Sequence, residues 1–356
     1  MRITNCHCHI FTVRHVPADF LPFGLMRFVG EGDSNRFIAL LLRSVNPFDG
    51  GDRFSRAASF ARAGNRASQR EVFERMASAY EDEDEGDGPA RFVVLPMDMD
   101  FMTEGSPRAP YLEQLAELRA LRRELPATLL PFVAADPRRE GLLELVREHL
   151  DDGFRGIKIY PPLGYYPSDE RLFPVYALAQ ERNVPVLSHC SRGGVYFCQT
   201  LEPDHFEPPI SREILRRRSL ADLTDFFTEP GRMRPVLEQF PDLRVCLAHL
   251  GGEDEWDRHL DGNPSWVGES LDMMREFPNL WADLSFTAHD RGRFEAIRAL
   301  VEDDTIGPRI LYGTDSYMVQ QRATERQFHE RLRTALGDEG FRRIAETNPA
   351  RFLGEA

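Results

Sequence analysis

Short runs of apolar and β-branched residues recur along the chain, and each ends in polar residues. Eight of them have the length and composition of buried strands, at residues 2–7, 91–97, 128–134, 154–160, 184–189, 243–249, 280–285 and 309–314. Between most of them apolar residues recur every three or four positions, as in YLEQLAELRALRREL, which predicts amphipathic helices. Strands that alternate with helices form parallel sheets, and eight such units predict an α/β fold of the closed (β/α)8 (TIM) barrel type. The alternative, an open doubly wound sheet, is disfavoured because no G-x-G-x-x-G motif follows the first strand.

The length of 356 residues suits one such barrel with insertions, so we predict a single domain over residues 1–356. Two connections are long: residues 11–90 follow the first predicted strand and residues 190–235 follow the fifth. In a barrel both connections lie at the carboxyl ends of the strands, where active sites are built. Loops of this length are commonly functional, so we expect both insertions to shape a substrate pocket.

Composition narrows the classes of partner. The formal net charge of −14 disfavours binding to nucleic acid or to an anionic membrane surface. No apolar run approaches the ~18 residues of a membrane-spanning helix, and no signal-peptide pattern opens the chain. Five cysteines, an odd number without framework spacing, indicate free thiols. We therefore predict a cytoplasmic protein that acts on a small-molecule substrate, with a homodimer as the expected assembly.

The ends of the predicted strands carry most of the chemistry in the chain. The residues at these ends are, in chain order, His7, His9, Lys158, His189, His249 and Asp315. The carboxyl ends of the strands of a parallel barrel meet on one face, so residues three hundred positions apart are expected to converge.

The CHCH run at residues 6–9 offers two pairs of metal ligands. Residues two apart on a strand point the same way, so His7 pairs with His9 and Cys6 with Cys8. The candidates on later strands are nitrogen and oxygen ligands, and no second cysteine pair exists to build a four-sulfur site. We therefore expect the histidines to face the site and the cysteines to pack outward, as small apolar groups, against the helices.

Three histidines and a carboxylate, His7, His9, His189 and Asp315, match a catalytic site for one divalent metal ion. Zn²⁺ is the favoured ion, and the same ligands suit Mn²⁺ or Fe²⁺. A metal-bound water loses its proton near neutral pH. His249 then stands ready as a catalytic acid/base or orienting donor, and Asp315 could bind the metal, take a proton from the water, or both.

Three further residues are candidates for contact with substrate. Lys158 could pair with a carboxylate, bind an anionic substrate or, once carboxylated by CO₂, bridge two metal ions. Tyr160 directly follows the same strand. Arg192, in HCSRGG, could hold a substrate carboxylate by two parallel hydrogen bonds or form a structural salt bridge.

Five motifs in order, NCHCH, GIKIYPP, VLSHC, CLAHLGG and LYGTDS, together resemble the amidohydrolase superfamily of metal-dependent barrel enzymes. The closing NPARFLG is similar to the tail of its amidohydrolase-related branch, which includes aminocarboxymuconate-semialdehyde decarboxylase. The resemblance implies that His7, His9, His189 and Asp315 bind one metal ion and that His249 is catalytic. It also implies that Lys158 does not bridge two ions.

Two reactions fit this predicted site, and a third hypothesis is a protein without enzymatic activity. We expect a hydrolase, in which metal-activated water attacks an amide, lactone or ester of a small carboxylate-bearing or cyclic substrate. The alternative is a metal-dependent non-oxidative decarboxylase, a carbon–carbon lyase. A non-enzymatic binding barrel is disfavoured, because burying these polar groups without a metal or a reaction costs stability.

Overall fold

The computed structural model describes residues 1–17, 64, 66–83, 90–102, 105–192, 202–218, 220–319 and 322–355. Most of the insertion predicted after the first strand therefore lies outside the described residues, as do residues 193–201 and 219 of the second insertion. The described part contains nine short strands: β1 (Thr4–Cys8), β2 (Arg91–Val94), β3 (Leu129–Pro131), β4 (Val133–Ala134), β5 (Ile157–Ile159), β6 (Val186–Ser188), β7 (Val245–Leu247), β8 (Leu280–Asp283) and β9 (Ile310–Leu311).

The strands pair in parallel, in chain order, as one sheet of β1-β2-β3 and a second of β4 to β9. Each of the eight predicted strands is present, but the third is divided into β3 and β4. β3 pairs with β2, whereas β4 pairs with β5. Pro131 lies at the division and has no N–H to donate to a ladder. The two sheets nevertheless adjoin, because Phe132 alone separates β3 from β4 and the backbone N of Arg155, just before β5, donates to the Pro131 carbonyl of β3 at 2.8 Å.

Hydrogen bonds also join the first strand to the chain that follows the last one. The backbone N of Cys6 donates to the carbonyl of Tyr312 at 2.8 Å, and that of Asp315 donates to the carbonyl of His7 at 2.8 Å. The residues after β9 therefore lie directly beside β1, although three hundred positions separate them.

Helices follow most of the strands. Those of the described residues are α1 (Gln69–Ala77), α2 (Tyr111–Glu124), α3 (Leu142–Asp151), α4 (Phe173–Glu181), α5 (Arg212–Arg217), α6 (Leu220–Thr228), α7 (Arg234–Gln239), α8 (Glu253–Leu260), α9 (Trp266–Glu276), α10 (Phe294–Glu302), α11 (Ser316–Val319), α12 (Glu325–Arg342) and α13 (Asn348–Phe352). Side-chain caps mark several starts, such as the Thr324 capping box with Gln327 before α12. Among the described residues, none of the helices combines the length and the apolar character needed to cross a bilayer.

Two apolar clusters lie on opposite faces of the strands. The larger one packs the strands against the helices, through residues such as Ile157, Ile159 and Leu247. The smaller one, here called the inner cluster, takes a residue from seven of the nine strands and is closed by α13; it consists of Cys6, Val93, Leu95, Leu130, Phe132, Leu187, Cys246, Ala248, Trp281, Leu311, Phe352 and Leu353.

The orientation predicted for the two cysteines is right for Cys8 and wrong for Cys6. Cys8 belongs to the larger cluster with the helices, whereas Cys6 belongs to the inner cluster. The pairing register between β1 and β2 is irregular between Asn5 and Cys8. Such an irregularity breaks the two-residue alternation, so the neighbours Cys6 and His7 both face inward.

Candidate active site

His7 lies at the centre of the candidate site, fully buried near the end of β1. Its Nδ1 lies 2.9 Å from Asp283 Oδ2, whereas its Nε2 is buried and has no hydrogen-bond partner among the described residues. Gly313 makes room for it, because a Cβ at that position would lie 2.7 Å from the His7 Cβ. A buried nitrogen without a partner is costly, which makes His7 Nε2 a candidate metal ligand.

His9 and Asp315 face each other beside His7. His9 Nδ1 donates to the Leu95 carbonyl at 2.7 Å, which leaves its Nε2 3.9 Å from Asp315 Oδ1. Asp315 has a φ of 51°, a left-handed conformation that costs energy for a residue other than glycine. The hydrogen bond from its backbone N to His7 fixes this conformation.

His249 lies in a left-handed turn directly after β7. Its φ is 66°, and Leu250, Gly251 and Gly252 also have positive φ values. At Gly252 a side chain would collide with Ser191, since a Cβ would lie 2.7 Å from the Ser191 Cβ. The HLGG sequence therefore permits a tight turn that aims the His249 ring at the site.

Backbone strain is concentrated at this site. Five described residues other than glycine have positive φ, namely Asn183, His249, Leu250, Phe286 and Asp315. All but Asn183 follow the last residues of strands β7, β8 or β9 at the candidate site. Strained residues cluster at functional sites, where the surrounding structure holds them in place.

The structure brings His7, His249 and Asp315 into one compact group. One ligand atom from each lies within 4.8 Å of the others, and all three residues are buried. Burial lowers the pKa of His7 and of His249 well below the usual value and raises the pKa of Asp315 to about 7. Burial thus favours the neutral histidine rings that metal ions bind.

His189 flanks this group at the end of the predicted fifth strand. Its ring centroid lies 4.9 Å from that of His249 and 4.6 Å from that of Tyr160. Its Nε2 lies 3.1 Å from the hydroxyl of Ser191. Tyr160 is held by its backbone N, which donates to the Tyr165 hydroxyl at 2.6 Å.

Lys158 extends from β5 below the histidines. Its ammonium is buried and has no hydrogen-bond partner in the described part of the chain, and it lies 5.9 Å from the Tyr160 ring centroid. Burial lowers its pKa to about 8, against the opposing effect of the carboxylates of Asp283 and Asp315. An ammonium at this place creates a positive potential for an anionic group.

Arg192 is engaged in ion pairs. Its Nε donates to Glu255 at 2.7 Å, its Nη1 donates to Asp225 at 3.1 Å, and its guanidinium lies 4.2 Å from the Trp266 ring centroid. It lines an open surface cavity of about 660 Å³ together with residues of α8 and α9, and none of the six strand-end candidates lines that cavity. The structure therefore does not bring Arg192 together with the histidine group.

Two buried polar residues of the site, Asp283 and Ser285, were missed by sequence reasoning. Asp283 ends β8 and contacts His7, and the hydroxyl of Ser285 lies 2.9 Å from His249 Nδ1. The available signal was the DLS sequence at the end of the seventh predicted strand, which places two polar residues on the inner face.

Comparison with known proteins now identifies the family. The sequence model of the amidohydrolase family matches residues 4–354. The chain belongs to this family. No curated protein matches it in sequence.

Solved structures similar to this chain share its fold over nearly the whole length. An uncharacterised TIM-barrel protein from Bordetella bronchiseptica has a TM-score of 0.56 and 18% identity, over 100% of this chain and 99% of the other. A probable 2-pyrone-4,6-dicarboxylic acid hydrolase from Acinetobacter baumannii, with citric acid bound, has a TM-score of 0.58 and 9% identity, over 99% and 100%. A mutant 5-carboxyvanillate decarboxylase from Novosphingobium aromaticivorans, with bound manganese, has a TM-score of 0.51 and 13% identity, over 99% and 97%.

The residues of the candidate site fit a divalent metal ion. His7, whose Nε2 has no hydrogen-bond partner among the described residues, lies in one group with His249 and Asp315, and nitrogen with carboxylate oxygen is a ligand set for Zn²⁺, Mn²⁺ or Fe²⁺. This compact group contains two of the four predicted ligands, His7 and Asp315, together with His249, which was predicted to be catalytic.

Proposed function

We propose that this member of the amidohydrolase family is a metal-dependent hydrolase built on a closed (β/α)8 barrel. Closure is supported by the hydrogen bonds from the chain after β9 to β1 and by an inner cluster shared by most strands. The predicted insertions after the first and fifth strands would cover the carboxyl ends of the strands. One small-molecule substrate would bind there, and a homodimer remains our expectation for the assembly.

The proposed metal ligands are His7, His9, His189 and Asp315. The observation that carries the proposal is the compact group of His7, His249 and Asp315, in which the buried His7 Nε2 has no hydrogen-bond partner among the described residues. A divalent ion bound there supplies Lewis-acid activation of water and of a substrate carbonyl.

The protein's own groups hold and move the proton. Asp315 lies in the compact group and could accept a proton from the attacking water. His249 is buried and neutral, and it lies close enough to orient the same water or to pass a proton to the leaving group. Its place in the compact group also makes it a candidate ligand, so the roles of His189 and His249 require separate tests.

The substrate class follows from Lys158. Its ammonium, which has no hydrogen-bond partner in the described ranges, would bind a carboxylate or a developing oxyanion, while Tyr160 would line the same wall beside His189. We therefore propose a small carboxylate-bearing or cyclic substrate with an amide, lactone or ester bond.

Product analysis of the metal-loaded enzyme tests the reaction. The panel contains lactones, cyclic and N-acyl amides, and hydroxybenzoate-type acids, each incubated in ¹⁸O-labelled water. We expect a new carboxylate that carries the label. Release of CO₂ without incorporated label would replace the hydrolase by the decarboxylase alternative. A protein that neither reacts nor takes up zinc or manganese would favour the non-enzymatic barrel.

A further inference from the structure

The carboxylate of Asp283 links the first strand, β1, to the turn that carries His249. It is fully buried at the end of β8. Its Oδ2 faces His7 Nδ1 at 2.9 Å, and its Oδ1 accepts from the backbone N of His249 at 2.9 Å and of Ser285 at 3.0 Å. The Ser285 hydroxyl also donates to Oδ1. One carboxylate therefore contacts the ring of His7 and also holds the backbone N–H groups of His249 and Ser285.

The hydrogen bond from Ser285 to Asp283 decides the role of the serine oxygen. Because the hydroxyl proton is directed at Asp283, the oxygen is left as an acceptor for ring nitrogens. His249 Nδ1 lies 2.9 Å from this oxygen and 3.4 Å from the Ser285 carbonyl, which can only accept. His249 Nδ1 must therefore carry the proton.

The same logic fixes the tautomer of His7. A carboxylate oxygen accepts and cannot donate, so the 2.9 Å contact requires a proton on His7 Nδ1. Nε2 is then unprotonated, which agrees with its lack of a partner. The Ser285 oxygen, 3.2 Å from His7 Nδ1, is a second acceptor for the same proton.

We propose that Asp283 and Ser285 are positioning residues that fix the tautomers of His7 and His249, so that each ring carries its proton on Nδ1 and keeps an unprotonated Nε2. The metal affinity that this arrangement would create rests on the proposed function; the tautomers do not. Asp283 also holds the strained backbone at His249 through its hydrogen bond to the backbone N–H.

His9 reaches the same tautomer by a different route. Its Nδ1 donates to a backbone carbonyl, that of Leu95, so no side-chain substitution at Asp283 or Ser285 removes its acceptor. His9 therefore serves as an internal reference for the other two rings.

Replacement by asparagine exposes the dependence on a carboxylate. In Asp283→Asn one oxygen becomes an NH₂ donor. If the NH₂ faces His7, the ring must turn its Nδ1 into an acceptor, and the proton moves to Nε2. If the NH₂ faces the His249 and Ser285 N–H groups instead, a donor lies opposite two other donors, and the hydrogen bonds from both backbone N–H groups are lost. The same isosteric change produces a wrong histidine tautomer in the catalytic triad.

The test compares Asp283→Asn, Ser285→Ala and the control Ser270→Ala by long-range ¹H–¹⁵N spectra of the histidine rings in metal-free protein. Ser270 matches Ser285, because it is also fully buried, and its hydroxyl has no hydrogen-bond partner in the described structure. We expect wild-type His7, His9 and His249 to be protonated at Nδ1. Asp283→Asn should move the His7 proton to Nε2, Ser285→Ala should shift the His249 ring nitrogens, and His9 should stay unchanged throughout.

Metal affinity, measured by chelator competition with Zn²⁺, is the second readout. Loss of an outer contact of this kind costs about 10- to 100-fold, which we expect for Asp283→Asn and not for Ser270→Ala. Wild-type protein that has the expected tautomers but binds no Zn²⁺ would defeat the proposed function and leave this inference standing. Unchanged His7 tautomer and unchanged affinity in Asp283→Asn would overturn the inference. If that variant does not fold, unchanged His249 nitrogens in Ser285→Ala would overturn it instead.

Discussion

Two buried carboxyl groups, Asp315 and Glu325, have the same raised pKa of about 7 but very different surroundings. Burial is the largest cause in both. Glu325 opens α12, and its Oε1 accepts from Asn5 at 3.1 Å, Tyr80 at 2.8 Å and Thr314 at 2.6 Å. It ties the helix to the outward face of β1 and to the chain after β9.

Asp315 has no comparable set of donors among the described residues. It faces ring nitrogens, that of His9 at 3.9 Å and those of His7 and His249 within 4.8 Å, from a strained left-handed backbone. A raised pKa therefore does not by itself mark a functional residue, because structural networks also perturb pKa values. The unpartnered nitrogen opposite and the backbone strain separate Asp315 from Glu325.

The largest expected effect comes from replacing one of these two carboxyl groups, but not the other, by an amide. Asp315→Asn should lose the bound metal and reduce turnover by at least ~100-fold, since it removes a proposed ligand where even outer contacts cost up to that much. Glu325→Gln should retain both, because its Oε1 can still accept from the same three donors. Metal content and turnover, measured side by side, check this. Equal losses in the two variants would abolish the distinction.

Variants of His189 and His249 test which of these two histidines binds the metal. We expect His189→Ala to lose the metal, and His249→Ala to keep it while turnover falls by roughly 10²–10⁴-fold, the usual contribution of a positioned acid or base. Metal analysis of both purified variants decides. A loaded His189→Ala would remove His189 from the ligands, and a metal-free His249→Ala would make the compact group itself the ligand set.

The pH dependence of stability is the signature of Glu325. Its folded pKa of about 7 exceeds the usual 4.5, so between these values the folded chain binds more protons than the unfolded chain. The free energy of unfolding therefore falls as pH rises through this window. Glu325→Gln lacks this loss and should gain about 2 kcal/mol on wild type between pH 5 and pH 8. A difference between Glu325→Gln and wild type that stays flat with pH would contradict the assignment.

The smallest effect on the site is expected from Cys8. This residue packs in the larger cluster, away from the inner face. Cys8→Ser should keep the metal and lose about 1–3 kcal/mol of stability, because a hydroxyl replaces a thiol in a buried position. Thermal unfolding and metal content measure both. Loss of metal in Cys8→Ser would show that the Cys8 thiol belongs to the metal site.

The sequence predicted the strand order and the convergence of strand-end residues, because parallel topology alone brings those ends together. It could not predict that Cys6 and His7 both face inward, since the irregular pairing of β1 with β2 is a property of two strands and not of one. Asp283 was missed for a related reason. Its partner His7 lies 276 positions earlier, and nothing near Asp283 in sequence indicates that contact.

The central claim is that the buried histidines and Asp315 hold one divalent ion. The most direct test is the metal content of the full chain, purified without chelators and then exposed to Zn²⁺ or Mn²⁺, with Asp315→Asn beside it. The account predicts one ion per wild-type chain and none in the variant. A wild-type chain that stays empty, or a variant that binds as much metal, would contradict it.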